Sequence, residues 1–331
     1  MLRLNEVKLP LDHSEEELHA AVADRLSIKV EELLHCKVFR RAVDARKRSA
    51  IQLTYTLDVE VKDETAVLNG NEKLRQSGRI ALSPDTTYHF VTKAPQQLQG
   101  RPVVIGTGPC GLFAGLLLSQ MGFKPIILER GKIVRERTKD TWGFWRKSHF
   151  KPESNVQFGE GGAGTFSDGK LYSQIKDKRY LARKVLTEFV KAGAPEEILY
   201  VAKPHIGTFR LVSIVEKMRA SIESLGGEFR FQNQVTDLVV ENKRVAGVKL
   251  ANDESISSDH IVLAVGHSAR DTFRMLQDRG VYVEAKPFSI GFRIEHPQSL
   301  IDGVRWGEFA GHKLLGAADY KLFNLCGQMI A

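Results

Sequence analysis

Residues 103–129 constrain this chain more than any other stretch. Val103-Val104-Ile105 is a short apolar run that reads as a buried strand, and Gly106-Thr107-Gly108-Pro109-Cys110-Gly111 follows at once. The helix LFAGLLLSQMG closes at Gly122, and a second strand, Pro125 to Leu128, ends in Glu129. Strand, GxGxxG turn, helix, strand and terminal acid together make a complete β-α-β dinucleotide fingerprint. Gly106 permits the tight turn, and Gly108 lets a pyrophosphate approach backbone amides at the positive end of the helix. Gly111 and Gly115 let helix and sheet pack closely. Glu129 stands about 20 residues beyond the first glycine, the place from which a carboxylate accepts hydrogen bonds from an adenosine ribose. The uncharged run from Pro102 to Leu118 is too short for a membrane span, which needs about 20 residues, and it is broken by Gly106, Gly108, Pro109, Gly111 and Gly115. Cys110 reads as a small side chain at a crowded turn.

Three features favour FAD over NAD as the dinucleotide. Glu129-Arg130-Gly131 leads into a long excursion rather than the next regular β-α unit. That excursion carries Gly159-Glu160-Gly161-Gly162-Ala163-Gly164-Thr165-Phe166-Ser167-Asp168-Gly169-Lys170, a loop dense enough in glycine to bring amides against a ligand, or simply a flexible connection. Residues 229–266 read as short strands with tight turns at Asn242-Lys243 and Asn252-Asp253, the last strand ending in Gly266-His267-Ser268-Ala269. Between these signatures, Thr208 to Leu225 is an amphipathic helix with Leu211, Ile214, Val215, Met218 and Ile222 inward, stopped by Gly226-Gly227, and the strand after it is expected to rejoin the parallel sheet. His205 precedes that helix, where it either faces a cofactor or satisfies backbone groups; His267, after the strand-ending glycine, is the better candidate.

The first 96 residues read as a small α+β module. Leu4 to Leu9 is a strand, Ser14-Glu15-Glu16-Glu17 a capping box opening a helix with Leu18, Ala21, Val22 and Leu26 on one face, and Ile51 to Val61 alternates as a half-buried strand. Thr86 to Thr92 suggests another strand, and Pro95 to Gly100 a linker. Lys37, Arg40, Arg41, Arg46, Lys47 and Arg48 cluster with only Asp44 opposing them. The cluster is either an anion or nucleic-acid patch or a solvated strand edge and turn; with no aromatic box beside it, the second reading is favoured and nucleic acid is not expected as a partner. The net charge of +8 decides little, because dinucleotides also favour basic surroundings. Cys36, Cys110 and Cys326 lie far apart, so no CxxC pair or four-ligand zinc site exists, and no metal is expected. That spacing suits a reducing compartment, and with no apolar leader segment at the start the expected location is cytoplasmic. Farther on, Phe288 to Glu295 alternates as a strand, with Arg293 and Glu295 on one face as a cross-strand pair in preference to a contact for a charged substrate.

The GxGxxG…E unit, paired with Ile261-Val262-Leu263-Ala264-Val265-Gly266 after a strand meander, resembles the glutathione-reductase-type flavoprotein superfamily. More narrowly the chain is similar to a poorly characterised family of FAD-dependent dehydrogenases. The similarity lies in Arg40-Arg41 through Asp44-Ala45-Arg46-Lys47, Gly161 to Leu171, and Pro204-His205-Ile206-Gly207-Thr208. It continues in Gly266-His267-Ser268-Ala269-Arg270-Asp271 and Gly291-Phe292-Arg293-Ile294-Glu295-His296-Pro297. The resemblance implies a bound FAD and an oxidoreductase acting on a small molecule. It implies an α/β fold: a Rossmann-like FAD-binding domain with a β-meander over 97–271, preceded by a small α+β domain over 1–96 and followed by an incomplete substrate domain over 272–331. Family members continue beyond Asp319-Tyr320-Lys321, so the end at LFNLCGQMIA, with Cys326-Gly327 as a remnant, reads as a truncated product. The candidate cofactor-binding residues are Gly106, Gly108, Pro109, Gly111, Glu129, Arg130, Gly162, Gly164, Thr165, Val235, Gly266 and His267. No catalytic residue is assigned, because the isoalloxazine does the redox work. No second GxGxxG-to-acid unit is visible, so NAD(P)H is expected only as a transient electron donor. Two alternatives stand beside this reading: an NAD(P)-linked dehydrogenase using the Gly106 unit, and a non-catalytic protein whose basic leader is an interaction module.

Overall fold

In the computed structural model, which describes residues 1–98, 100–171, 173, 175–288, 290–292 and 294–320, the chain opens on strand β1 (Leu2–Pro10) and helix α1 (Glu15–Leu26). The capping box forms as expected: Glu17 N donates to Ser14 Oγ at 3.2 Å, and Ser14 N donates to Glu17 Oε2 at 2.7 Å. Strands β2 (Leu33–Asp44) and β3 (Gln52–Val61), two short helices α2 (Glu64–Gly70) and α3 (Glu72–Gln76), and strand β4 (Ile80–Leu82) complete an antiparallel sheet of order β2-β3-β1-β4. The alternation of residues 51–61 is realised in full: Leu53, Tyr55, Leu57, Val59 and Val61 are buried with Leu2, Leu4 and the apolar face of α1. The basic cluster lies on edge strand β2 and the turn after it. There Asp44 accepts from Lys8 at 2.9 Å and from Arg46 Nε at 2.8 Å, and Arg48 donates to the Gly303 carbonyl at 2.9 Å.

A second unit is built around a parallel sheet. Strand β5 (Val103–Ile105), helix α4 (Pro109–Gln120) and strand β6 (Ile126–Glu129) are the β-α-β unit, and all the residues of both strands are buried. Helices α5 (Val134–Lys147), α6 (Leu181–Lys191) and α7 (Thr208–Ser224) fill the excursion before strand β7 (Glu228–Phe231) rejoins the sheet. The five expected inward residues of α7 are all buried. Strands β8 (Val235–Glu241), β9 (Arg244–Leu250) and β10 (Ser255–Ser257) form an antiparallel meander whose turns use the left-handed backbone of Asn242, Lys243 and Asp253. The chain then returns as strand β11 (Ile261–Leu263), parallel to β5, giving the order β11-β5-β6-β7 before helix α8 (Arg270–Asp278). This is the expected α/β, Rossmann-like architecture with its meander. No described helix is long and apolar enough to cross a membrane.

The structure differs from the sequence reading at three places. Thr86–Thr92 is not a strand, since β4 already occupies the place beside β1; instead Tyr88 and Phe90 meet edge to face at 5.2 Å and the Lys184 ammonium lies over both rings. The described residues of 288–295 form no strand and pair with no sheet, leaving Phe288, Ile290 and Phe292 exposed; Ser289 and Arg293 lie outside the described residues, so the Arg293–Glu295 pair is not described. The same holds for Gln99 of the linker and for Cys326-Gly327.

The third difference is the division of the chain. Among the described residues, one compact unit joins 1–85 and 200–202 to those from 287 to 320, and the other lies within 86–199 and 203–286. These compact units divide near 85 and 286, whereas the sequence reading expects domain boundaries at 96 and 271. Residues 86–98 pack on α6 and donate from Ala94 N to the Met121 carbonyl at 2.7 Å, while α8 packs on β8. Helix α9 (Gln298–Trp306) buries Trp306 in the N-terminal core, where Ala318 joins it and Ile301, Phe309, Leu314 and Leu315 pack alongside. Trp306→Ala is expected to cost about 3–5 kcal/mol. Amide exchange should accelerate in β1 and β3 while β5 and β6 keep their protection.

Candidate functional site

Sheet order places a crevice at the carboxyl ends of β5 and β11. From β5 the chain proceeds through α4 to β6 on one side, whereas β11 arrives on the other, so β5 is the point at which the strand order reverses. Gly106 leaves β5 at φ +100°, and α4 begins just after Gly108 with no side chain capping its first amides. The helix lies close under the turn because Gly111 has no Cβ; one there would overlap the Gly106 carbonyl oxygen. A crevice of about 470 Å³ opens above this turn, walled by the ends of β5, β6 and β11, the start of β8 and the glycine loop at 162–164. Gly162, at φ +64°, is the closest approach of that loop: an added Cβ would stand 2.8 Å from Gly108 Cα and 3.2 Å from Pro109 Cδ.

The loop is held by a charge buried beneath it. Arg137 of α5 is fully buried and donates to four backbone carbonyls: Nε to Asn155 at 2.8 Å, Nη2 to Val156 at 2.7 Å, and Nη1 to Glu160 at 2.7 Å and Gly162 at 2.8 Å. Burial pulls its guanidinium down to about 10, with the Glu129 and Glu160 carboxylates holding it up, so it stays charged at neutral pH. The Phe166 ring stacks beside it at 4.9 Å. Glu160, also fully buried, accepts from Val134 N at 2.7 Å and stands 2.9 Å from Arg219 Nε, a pair not aligned as a hydrogen bond. Burial raises the Glu160 carboxyl above the ordinary glutamate value against the pull of Val134 N and Arg219.

Glu129 lines the crevice, but its acceptor positions are already used by the chain. Oε2 accepts from Thr107 N at 2.9 Å and Thr107 Oγ1 at 2.6 Å, and Oε1 accepts from Gly131 N at 2.8 Å and Gly159 N at 3.0 Å. A carboxylate offers about four lone-pair sites, so this network leaves none free for the expected ribose contact. The cause is local: three amides of glycine-rich turns converge on the buried end of β6. Arg130 is likewise engaged, by Glu153 at 2.5 and 3.1 Å and by Asp271 Oδ1 at 3.0 Å, and its guanidinium lies 4.2 Å from the Phe158 ring centre. Burial works against its charge, yet the two carboxylates prevail and raise its pKa. Gln234 bonds the other oxygen of Asp271 at 2.9 Å, tying α8 to the start of β8.

Of the residues singled out in the sequence, Gly106, Gly108, Pro109, Glu129, Arg130, Gly162, Gly164, Val235, Gly266 and His267 all border this crevice. Two do not. Gly111 serves the packing of α4 on the turn, and Thr165 is buried behind the loop with its hydroxyl 3.4 Å from Arg137 Nη1. The exposed Cys110 lines the crevice, whereas burial pushes the Cys36 thiol up to about 11. His205 lies outside the crevice, exposed, and its ring bonds no backbone group among the described residues. Sequence reading missed Arg137, Phe158 and Asn233, and named Glu160 and Asp271 only within longer motifs, with no role of their own. No grouping of His, Cys, Asp and Glu among the described residues suits a metal ion.

Comparison with known proteins adds family descriptions at both ends. Residues 1–60 match the model of a domain of unknown function (DUF8436), and residues 287–329 match the model described as FAD-dependent protein, C-terminal domain-like. An uncharacterised protein of Clostridium beijerinckii is 39% identical over 321 residues, covering 97% of this chain; the chain spans 59% of that relative's length. Thiamine thiazole synthase of Aeropyrum pernix is 23% identical over 251 residues, covering 71% of this chain and 79% of the relative. Among solved structures, Thermovibrio ammonificans THI4 aligns with a TM-score of 0.37 at 17% identity, covering 55% of this chain and 64% of that one.

Two outcomes follow for the buried charges. Arg137→Lys keeps the charge but not the planar fork that reaches four carbonyls, so it is expected to lose at least about 3 kcal/mol of stability. Limited proteolysis of that variant should cut first within 155–166. For Glu160, a raised folded-state pKa means that the native state holds its proton longer than the unfolded chain, so this group's contribution falls as pH climbs from 4.5 towards neutrality. Glu160→Gln should remove that slope, and Tm against pH for the two proteins should diverge over that interval with the wild type falling faster.

Proposed function

We propose that the crevice binds FAD and that the protein is an oxidoreductase passing hydride or electrons through the flavin to or from a small molecule. The observation that carries this reading is the uncapped start of α4 opening into the crevice, with Gly162 packed so closely on Gly108 that a single Cβ would overlap it. Backbone amides at a helix start, with glycine on both sides, form a cradle for a pyrophosphate diester. Glu129 and Arg130 are the charged residues bordering the crevice, and the chain already engages both. A phosphomonoester such as the 2′-phosphate of NADP finds no free cation among the described lining residues, which favours FAD over that dinucleotide in the crevice. The description of the family model matched at 287–329 supports the same cofactor.

In this reading Gly106, Gly108, Pro109, Gly162 and Gly164 hold the pyrophosphate, Arg130 and Val235 border the nucleoside, and Gly266 and His267 close the side after β11. Glu129 acts at one remove, fastening the Gly106 turn to the glycine loop rather than offering a free oxygen to ribose. When bound, FAD supplies hydride acceptance, and a reduced nicotinamide is one transient donor consistent with the absence of a second fingerprint. The chain orients the reactants and limits water by the packing of Arg137 beneath the loop.

Gently purified protein should show flavin absorbance bands and release FAD on denaturation. A colourless protein that instead retains NADH would overturn the assignment in favour of an NAD-linked dehydrogenase. Gly162→Ala should retain at least about tenfold less flavin, because the Cβ would push the loop off Gly108 and Pro109 and the backbone at φ +64° disfavours any side chain. Far-ultraviolet circular dichroism should stay unchanged.

A further inference from the structure

Two segments that the crevice does not absorb, Ser167–Leu171 and Pro204–Thr208, come together in the same unit. Lys170 and His205 face each other in an isolated antiparallel bridge. Leu171 N donates to the Pro204 carbonyl at 2.9 Å and Ile206 N to the Gly169 carbonyl at 3.1 Å, so Lys170 and His205 are the closely spaced, non-hydrogen-bonded kind of pair, with both side chains on one face. The Asp168 carboxylate lies near the Lys170 ammonium, and Gly207 N donates to the Asp168 carbonyl at 2.9 Å. The underside is anchored: Ile206 is buried and Leu171 packs against the same apolar core. The upper side is open, with Asp168, Lys170 and His205 all exposed.

The polar groups on this face are undersupplied with partners. Lys170 Nζ stands 3.6 Å from Asp168 Oδ2, beyond the 2.7–2.9 Å of a charge-assisted hydrogen bond. Among the described residues the ammonium has no other polar partner, and the His205 ring makes no hydrogen bond or ion pair. The platform also adjoins the crevice. Ser167 Oγ donates to the carbonyl of Gly164, a crevice residue, at 2.7 Å, and the four-residue step from Gly164 to Asp168 spans at most about 14 Å.

We propose that Lys170 and His205 form an oxyanion-binding pair that holds the carboxylate or phosphate group of the small molecule reacting at the crevice. Lys170 supplies the charge, His205 a ring N–H, and Asp168 steadies the ammonium. This assignment rests on the flavin reading for the identity of the reaction, but its test does not.

The His205 imidazole carbon-bound proton, assigned with His205→Gln, is followed by NMR while sodium acetate or sodium phosphate replaces sodium chloride at constant ionic strength. A saturable shift with acetate, phosphate or both is expected, and Lys170→Gln should weaken it by about tenfold, the effect of losing one hydrogen bond to a charged group. Saturation by acetate alone assigns a carboxylate, and by phosphate alone a phosphoryl group. The absence of a saturable shift, or an identical shift in Lys170→Gln, overturns the proposal. Flavin content is read separately from the absorbance of the same samples and should be equal in both proteins; its absence from both would remove the flavin reading while leaving the anion result standing.

Discussion

A guanidinium taken wholly out of water underlies the geometry of the crevice. Desolvating such a charge costs several kcal/mol, and Arg137 offsets it with bonds to the carbonyls of Asn155, Val156, Glu160 and Gly162. Those carbonyls belong to a loop that has little apolar side chain of its own to bury. Gly159 must lack a side chain because the Arg137 stem fills the space beside it, and Gly131 must lack one because Gly159 does. The consequence runs outward from residue to residue: the arginine fixes the loop, the loop sets Gly162 against Gly108, and that contact defines the gap above the first turn of α4. Five glycines between 159 and 169 would otherwise carry a large conformational entropy.

The crevice is accordingly a place of ordered dipoles rather than of free charges. Glu129 and Arg130, the acid and base at its edge, both point their bonding capacity at the chain. Glu129 gathers the amides of Gly131 and Gly159 with the backbone and hydroxyl of Thr107, so it serves as the clasp between the two glycine turns. Preorganised amides cost no rearrangement when an anion arrives. The polar face built on Lys170 and His205 has the opposite character, with exposed side chains on a bridged backbone and few partners among the described residues.

Much of this was legible in residue order, where a single period or a single spacing carried the information. The strand at 52–61 follows from alternation, α7 from a heptad-like apolar face, and the β-α-β unit from three glycines and an acid at fixed intervals. Arg137 was not legible, because in sequence it is one charge among many in a polar helix, and only the folding back of residues 155–162 buries it. The bonds of Glu129 to Gly131 and Gly159 were not legible either, since the sequence holds no record that Gly159 would arrive beside Gly131. Alternation also misled: Thr86–Thr92 and Phe288–Glu295 have the period of strands, but a strand needs an edge to pair with, and that depends on topology rather than on pattern.

The place of β11 beside β5 has a consequence for how the protein comes into being. β5 is among the first parts of its unit to leave the ribosome and β11 among the last, and each contributes one wall of the crevice. A contact so distant along the chain carries a high loop-closure entropy and forms late. Until it does, the apolar flank of β5 stands open, and a nascent chain in that state is prone to sticking to its neighbours. A cofactor that needs both walls cannot template the early steps of folding; it can only lock the finished sheet.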